Sequence, residues 1–277
     1  MKLNIAVVQF KIHQYRPDLN LKKMEQFIKL ASNKAEIIVF PEDFLTGGLN
    51  KSNLTKFADS KHKYKKIFQT LAKKYKIDIV AGSIIEKDNI GYHNVCYYID
   101  SKGTVKGKYQ KINLWLTERK ILVPGTKTCV FNTRFGKVGL TICWDLILPN
   151  LFKTLAKKGA EIIFCPSLWY KSESFKPYKL HNINAEKEHV NALCKARAIE
   201  NNIILVYSNV VGKLTTSGNE KDEGAGQSQI TVPIKGTLNK LDEEEEMFIQ
   251  EVNTNILKDA ETAYKIKNDL KNNFIYQ

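Results

Sequence analysis

Short runs of β-branched and aromatic residues alternate along the chain with longer stretches of helical periodicity, and this alternation restricts the fold more than any other feature. Such a pattern is typical of α/β proteins. Several runs are apolar at consecutive positions, which predicts strands covered on both faces. The predicted strands are Leu3 to Phe10, Glu36 to Phe40, Ile77 to Ile85, Asn94 to Ile99, Lys137 to Ile142, Glu161 to Cys165, Asn202 to Asn209 and Met247 to Val252. The predicted helices lie near Leu19 to Ser32, Lys61 to Lys76, Leu151 to Lys158, Asn182 to Glu200 and Asn255 to Asn272.

The strand pattern also repeats within the chain. The segment Glu36 to Pro41 is echoed by Glu161 to Pro166, and Ile79 to Ser83 is echoed by Ile204 to Ser208, both 125 residues later. Chance similarity between apolar strands is the alternative explanation. A true repeat predicts two similar halves that supply two facing sheets with helices outside. We expect them to form one domain over residues 1–277.

The cysteines and the apolar segments bear on where the protein resides. The five cysteines are an odd number, widely spaced, with no Cys-x-x-Cys pair, which is typical of a reduced, intracellular protein. No N-terminal run is long enough for a signal peptide, and no later stretch is long enough to span a bilayer. We therefore expect a cytoplasmic protein without membrane partners.

The formal charge of +14 raises nucleic acid as a partner. All but four of the 43 basic side chains are lysines, however, and they are scattered along the chain. Base and phosphate recognition favours the bidentate guanidinium, so this composition indicates a solvated surface and no nucleic-acid partner. The rare arginines are expected where a forked donor is needed.

Three residues stand out as candidates for chemistry. Cys143 ends an apolar strand and enters a helical stretch, where open α/β sheets present reactive groups and a helix dipole favours thiolate. A buried core cysteine, as at Cys165, is the alternative. Glu42 follows another apolar strand and its terminating proline, so it would be partly desolvated, as suits a general base. Taken by itself, Glu42 is better explained as an ordinary loop acid. Lys111 lies in a segment that also holds Glu118.

These segments, taken in order, resemble the catalytic segments of the nitrilase (carbon-nitrogen hydrolase) superfamily over nearly the whole chain. They are Phe40-Pro41-Glu42, Lys108-Tyr109-Gln110-Lys111 followed by Glu118-Arg119, and Leu140-Thr141-Ile142-Cys143-Trp144-Asp145. Further similar segments are Lys195 to Asn201, Ser208 to Gly212 and Gly226-x-Ser228. One departure is Pro149-Asn150, where the family often has Pro-Glu. The lost carboxylate would change packing or the pocket edge, which bears on substrate class more than on catalysis.

The resemblance implies a four-layer α-β-β-α sandwich of two facing mixed sheets with an internal pseudo-repeat, assembled as a homodimer or higher homo-oligomer. It also implies a Glu42, Lys111 and Cys143 triad, with Cys143 as nucleophile and Glu42 as base. Lys111 and the backbone N–H of Trp144 would stabilise the oxyanion, and Glu118 would orient Lys111. No metal or organic cofactor is expected.

The sequence predicts the class of the substrate but not its identity. Asp145 after Cys143-Trp144 resembles the amidase and carbamoylase branches, so a small carboxamide or N-carbamoyl amine is favoured as substrate. The segment from Ser167 to Tyr170 is the repeat counterpart of Glu42, and its Ser167 and Trp169 would support or line the pocket, although Trp169 could equally be core. Leu214 to Gln227 is predicted to be a long flexible loop of the kind that often serves as a lid.

Other activities fit the same residues. The triad could also hydrolyse a nitrile or transfer the acyl group to an amine. A non-catalytic interaction protein on the same fold is the alternative from another class, and the presence of all three triad residues argues against it.

Overall fold

The computed structural model describes residues 1–172 and 175–271, which form an α/β structure with two mixed sheets and flanking helices. The strands are β1 (Lys2–Lys11), β2 (Ile37–Val39), β3 (Asp78–Val80), β4 (Ile84–Lys87), β5 (Tyr92–Ile99), β6 (Val105–Gln110), β7 (Cys129–Thr133), β8 (Gly136–Leu140), β9 (Ile162–Pro166), β10 (Ile204–Ser208), β11 (Val210–Thr215), β12 (Lys221–Ala225), β13 (Gln229–Val232), β14 (Gly236–Lys240) and β15 (Glu246–Asn253). The helices are α1 (Pro17–Ala31), α2 (Leu54–Phe57), α3 (Lys63–Tyr75), α4 (Pro149–Lys157), α5 (Lys176–His181), α6 (Ala185–Glu200), α7 (Asn255–Tyr264) and α8 (Ile266–Lys271).

The two sheets share a common arrangement of their central strands. Within the described residues, the first sheet has nine strands along the path β12-β11-β1-β2-β3-β5-β4, with β15 beside β1 and β6 beside β5. The second has six, in the order β14-β13-β10-β9-β8-β7. Strands β1-β2-β3 and β8-β9-β10 are parallel triplets, each followed by an antiparallel neighbour. Helices α1 and α3 lie in the connections of the first triplet, and α4 and α6 in those of the second. The halves therefore repeat as the sequence echo predicts.

The alternating side chains of the central strands create the layers. Ile5 and Val7 of β1 lie in one hydrophobic core with Leu140 of the second sheet, and that core also contains side chains of α4 and α6. Val8 points to the other face and lies in a second core with Phe68 of α3 and side chains of α1. Each sheet thus has helices on one face and the other sheet on its second face, which confirms the predicted sandwich.

Two predicted elements are interrupted. The strand predicted over Ile77 to Ile85 divides into β3 and β4 at Gly82, whose φ of +59° suits glycine, and a Cβ there would lie 2.0 Å from the Pro41 carbonyl oxygen. The last predicted helix divides into α7 and α8 at Lys265, where φ is 52°. Asn272, its predicted end, lies outside the described residues.

The flexible loop predicted over Leu214 to Gln227 is wrong where the chain forms strands, at Leu214 and Thr215 of β11 and over Lys221–Ala225 of β12. Strands β11 and β12 form an antiparallel hairpin with Val211 opposite Ala225 and Thr215 opposite Lys221. The hairpin extends the edge of the first sheet beside β1. The polar residues Lys221 to Glu223 conceal the strand pattern of β12, because an edge strand needs little apolar surface.

No helix in the described ranges is both long enough and apolar enough to cross a membrane. That residues 1–277 form one domain stays a prediction.

Candidate active site

Strand ends from both sheets bring the three predicted triad residues to one pocket. Glu42 follows β2 of the first sheet, and Lys111 follows β6 of the same sheet. Cys143 follows β8 of the second sheet and begins a short 3₁₀ turn, Cys143–Ile147. All three residues line the same cavity, and each is at most 6% exposed.

Lys111 lies between two carboxylates. Its Nζ donates to Glu42 Oε1 at 2.8 Å and to Glu118 Oε2 at 2.7 Å. Burial lowers the pKa of Lys111, but the charges of Glu118 and Glu42 outweigh that effect and raise the pKa well above its ordinary value. The ammonium is therefore charged, and with three donors and two of them used it can still donate one hydrogen bond into the pocket.

Asn94 holds the two carboxylates in place, and the sequence analysis did not identify it. Its side-chain Nδ2 donates to Glu42 Oε1 at 2.8 Å and to Glu118 Oε1 at 3.2 Å, while its backbone carbonyl oxygen accepts from the Lys111 backbone N–H at 2.9 Å. The available signal was a buried amide within the otherwise apolar and aromatic run of β5. Asn94 thus fixes the distance between Glu42 and Glu118.

The surroundings of the Cys143 thiol favour its protonated form. Burial raises its pKa well above the ordinary value and the charge of Glu42 acts in the same direction, whereas the charge of Lys111 lowers the pKa. These surroundings oppose the thiolate that the sequence suggests at this helix N-terminus. The turn after Cys143 spans only five residues, so its dipole cannot offset desolvation beside a carboxylate.

Asp145 does not reach the pocket and instead ties the Cys143 turn to the Lys111 strand. Its Oδ2 accepts from the Tyr109 hydroxyl at 2.7 Å and the Ile142 N–H at 2.8 Å. Its Oδ1 accepts from the backbone and side chain of Asn113 at 3.1 and 2.8 Å. Because these donors come from both sheets, one buried carboxylate sets the position of Cys143 relative to Lys111.

Arg197 of α6 secures the far end of the same turn. It is 5% exposed, and its Nε and Nη2 donate to the carbonyl oxygens of Leu146 and Ile147, both at 3.0 Å. Two adjacent carbonyl groups need two parallel donors, which a lysine cannot supply. This rare arginine therefore sits where a forked donor is needed, as expected.

The remaining predicted site residues divide between the pocket and its support. Trp144 and Trp169 line the pocket, and their ring centroids lie 5.6 Å apart. Ser167 does not line it, since its hydroxyl donates to the Cys165 carbonyl and its own carbonyl accepts from the Glu42 N–H. Asn150, the departure from the family pattern, is exposed and outside the pocket, so the expected change at the pocket edge is not found.

Two acidic residues of the pocket were missed by the sequence analysis. Asp43, next to Glu42, is 6% exposed, and its Oδ1 has no hydrogen-bond partner. Burial, followed by the charges of Glu42 and Glu118, raises the pKa of Asp43 well above its usual value. Glu186 of α6 accepts from Trp169 Nε1 at 2.7 Å and from the Tyr178 hydroxyl. No sequence pattern distinguished either acid from an ordinary surface carboxylate.

The part of the chain that the structure describes contains no group of three or more His, Cys, Asp or Glu side chains arranged to hold a metal ion.

Known proteins are similar to this chain in sequence and in fold. The profile of the Carbon-nitrogen hydrolase family matches residues 4–260. The chain is 33% identical over 256 residues to a probable nitrilase of Schizosaccharomyces pombe, covering 90% of this chain and 88% of that protein. It is 28% identical over 274 residues to the 2-oxoglutaramate amidase of Bacillus subtilis, covering 98% of both. A solved carbon-nitrogen hydrolase from Helicobacter pylori has the same fold, with a TM-score of 0.87 at 21% identity over 99% of this chain and 97% of that one. The predicted resemblance is confirmed, and the chain belongs to the carbon-nitrogen hydrolase family of the nitrilase superfamily.

Proposed function

We propose that this carbon-nitrogen hydrolase cleaves a small carboxamide or N-carbamoyl amine through a thioester on Cys143. The observation that carries the proposal is the meeting of a buried thiol, a buried carboxylate and a lysine paired with that carboxylate in one cavity. The similarity to the 2-oxoglutaramate amidase supports an amide as the substrate.

The first half of the reaction follows from the hydrogen bonds of Glu42. Its Oε1 accepts from Lys111 and Asn94, and its Oε2 accepts from the Leu168 backbone N–H at 2.8 Å. A carboxylate has about four acceptor positions, so one position on Oε2 is open to the thiol of Cys143. As sulfur attacks the carbonyl carbon, the thiol proton moves to Glu42, and the third N–H of Lys111 stabilises the oxyanion. The backbone N–H of Trp144 is the second proposed donor.

The second half returns the enzyme to its resting state. The C–N bond breaks as Glu42 gives its proton to the departing nitrogen, which leaves a thioester and ammonia or an amine. Glu42 then takes a proton from water, whose oxygen attacks the thioester. The C–S bond breaks, and the sulfur regains its proton from Glu42. The products are a carboxylic acid, or a carbamic acid in the case of a ureido substrate, and the released nitrogen compound.

Glu118 is proposed to position Lys111 rather than to transfer protons. Its Oε2 is bound by both Lys111 Nζ and the Trp115 backbone N–H, each at 2.7 Å, and its Oε1 is bound by Asn94. Both oxygens are thus engaged with fixed donors.

The test is ammonia release from a panel of primary amides, ureido compounds and nitriles, with and without added amine. We expect release from amides or ureido compounds, with the free acid as product. Acid formation only from nitriles would reject the proposal and indicate a nitrile hydrolase. Transfer of the acyl group to added amine in preference to water would reject it and indicate an acyltransferase. Cytoplasmic location and a homodimer or higher homo-oligomer stay predictions.

A further inference from the structure

The pocket contains more carboxylic side chains than the proposed reaction needs. Four carboxylic side chains line it, namely Glu42, Asp43, Glu118 and Glu186, and Lys111 is the single Lys or Arg among the described residues that do so. Lys111 is already bound by Glu42 and Glu118. No cationic side chain of the described lining is therefore left for a substrate carboxylate.

Lys171, a basic residue adjacent in sequence to the pocket lining, is also engaged. Lys171 directly follows Tyr170, which lines the pocket, and its Nζ lies 2.7 Å from Glu243 and 3.5 Å from Glu223. A carboxylate buried without a positive partner is strongly disfavoured. The electrostatics of the site thus oppose an anionic substrate.

Glu186 is held in place by neutral donors. Its side chain is 12% exposed, and the donors that fix it, Trp169 Nε1 and the Tyr178 hydroxyl, are both neutral. The nearest ionisable base is His189, whose Nδ1 is 4.0 Å away and whose side chain is 58% exposed. The carboxylate is thus oriented at the pocket without a Lys or Arg partner among the described residues.

The surroundings of Glu186 suit an ammonium group. The indole of Trp169, which binds Glu186, packs against that of Trp144, and Trp115 lies 6.4 Å from Tyr170 between ring centroids. Aromatic faces attract cations, more strongly where water is excluded. A second observation is the unpartnered Oδ1 of Asp43, which is more than nine-tenths buried and lines the same pocket. A buried polar atom without a partner calls for a polar ligand group.

We propose that the substrate carries a second nitrogen that is a cationic amine, and that Glu186 is its counter-ion. This inference rests on the proposed amide hydrolysis and names the class of amide. The scissile carbonyl lies at Cys143, and the ammonium lies against Glu186 and the indole rings. The substrate class is therefore amino amides, or mono-carbamoylated diamines, rather than amides of dicarboxylic acids.

The test compares three primary amides with the same four-carbon chain, ended by an ammonium, a methyl group or a carboxylate. We expect kcat/KM to be highest for the ammonium compound, by about tenfold or more over the methyl compound, and lowest for the carboxylate. Glu186→Gln should reduce the ratio of ammonium to methyl compound by about tenfold or more, mainly through KM. Glu188→Gln, an exposed acid on the same helix, is the matched control and should preserve the ratio.

Equal efficiency across the three compounds, or preference for the carboxylate, would overturn the inference and leave amide hydrolysis intact. An unchanged ratio in Glu186→Gln would overturn the role of that residue. Calorimetric binding to Cys143→Ala separates the two proposals. Binding that favours the ammonium compound, with no turnover of any compound by the wild type, would overturn the proposed reaction while supporting the cation site.

Discussion

The carboxylate of Glu42 is fixed by donors from three elements, which makes it a positioned base rather than a loop acid. Glu42→Gln keeps the shape of the side chain and removes its capacity to take a proton. We expect kcat to fall by about 10²–10⁴-fold, with KM little changed. Steady-state kinetics test this, with the exposed Glu251→Gln as the control. A variant that keeps the wild-type rate would move the role of base to Glu118.

The five cysteines differ in access more than in acidity. Cys96, Cys165 and Cys194 are fully buried, and burial raises the pKa of the partly buried Cys129 to about 11. Cys143 lines the pocket beside its base, so we expect iodoacetamide, itself a small amide, to label Cys143 first at neutral pH. Peptide mapping by mass spectrometry checks the order of labelling. Faster labelling of Cys129 would contradict a preorganised thiol and base.

Asp43 makes stability depend on pH in a defined direction. Its pKa is raised in the folded protein by burial and by the neighbouring carboxylates, so the folded state holds the proton more tightly than the unfolded state does. The resulting stabilisation is complete below the unfolded pKa, near 3.8, and is lost as pH rises towards the folded pKa.

Asp43→Asn, which cannot ionise, should therefore be more stable than the wild type at pH 8, and the difference should shrink towards about pH 4. The slope can reach about 1.4 kcal/mol per pH unit. Denaturant unfolding at a series of pH values measures it, with the exposed Asp259→Asn as the control. A difference that does not vary with pH would show that Asp43 is ionised in the folded protein.

At the scale of elements, the turn that carries Cys143 is secured at both ends. Asp145 binds its start to the strand of Lys111, and Arg197 binds its end to α6. Cys143 itself has a φ of 47°, a conformation that is unfavourable for a side-chain-bearing residue and has to be held by its surroundings. Positioning of the nucleophile is thus a property of the turn and its two partners.

Asp145→Ala would leave the donors of Ile142, Tyr109 and Asn113 buried without acceptors. We expect a loss of stability on the order of 3 kcal/mol or more. We also expect kcat to fall with KM largely kept, because the pocket walls remain while the nucleophile is displaced. Thermal melts and kinetics measure both effects. Asp145→Asn, which retains one side-chain oxygen, should recover part of the lost rate. An Asp145→Ala variant with a lowered melting temperature but full kcat would limit Asp145 to a structural role.

Sequence patterns predicted the central parallel strands and the long helices, because such elements need continuous or periodic apolar residues, but they did not predict the buried strand β13. The centres of β1, β2, β9 and β10 fall where the apolar runs lie. Strand β12 was missed because it pairs through backbone groups at the sheet edge and begins with the polar residues Lys221 to Glu223. Breaks at Gly82 and Lys265 depend on single backbone conformations that periodicity does not report.

The site was predictable to the extent that its chemistry lies at strand ends. Glu42, Lys111 and Cys143 were identified from local context and from their order along the chain. Asn94 and Glu186 were not, because their roles depend on contacts made after folding. Asn94 meets Glu42 across 52 residues of sequence, and Glu186 meets the pocket through Trp169, 17 residues away. Such side-chain contacts depend on how the elements pack together and cannot be predicted from any one segment.

For the whole molecule, the packing of the two sheets creates the active site. Glu42 and Lys111 come from the first sheet, and Cys143 and Trp169 follow strands of the second. Neither half of the repeat holds the complete set of residues. The core between the sheets, which contains Val39 as well as Leu140, therefore sets the distance between base and nucleophile. We expect activity to be lost cooperatively with the fold rather than in stages.

The central claim is that Cys143 is the nucleophile of C–N bond hydrolysis. The most direct measurement is ammonia release by Cys143→Ala beside Cys165→Ala, a matched change at another cysteine near a strand end that does not line the pocket. We expect Cys143→Ala to lose activity by about 10⁶-fold while its thermal melt stays close to that of the wild type. Cys165→Ala should keep most of the rate of its folded fraction. A folded Cys143→Ala variant that retains a substantial part of the wild-type rate would contradict the account.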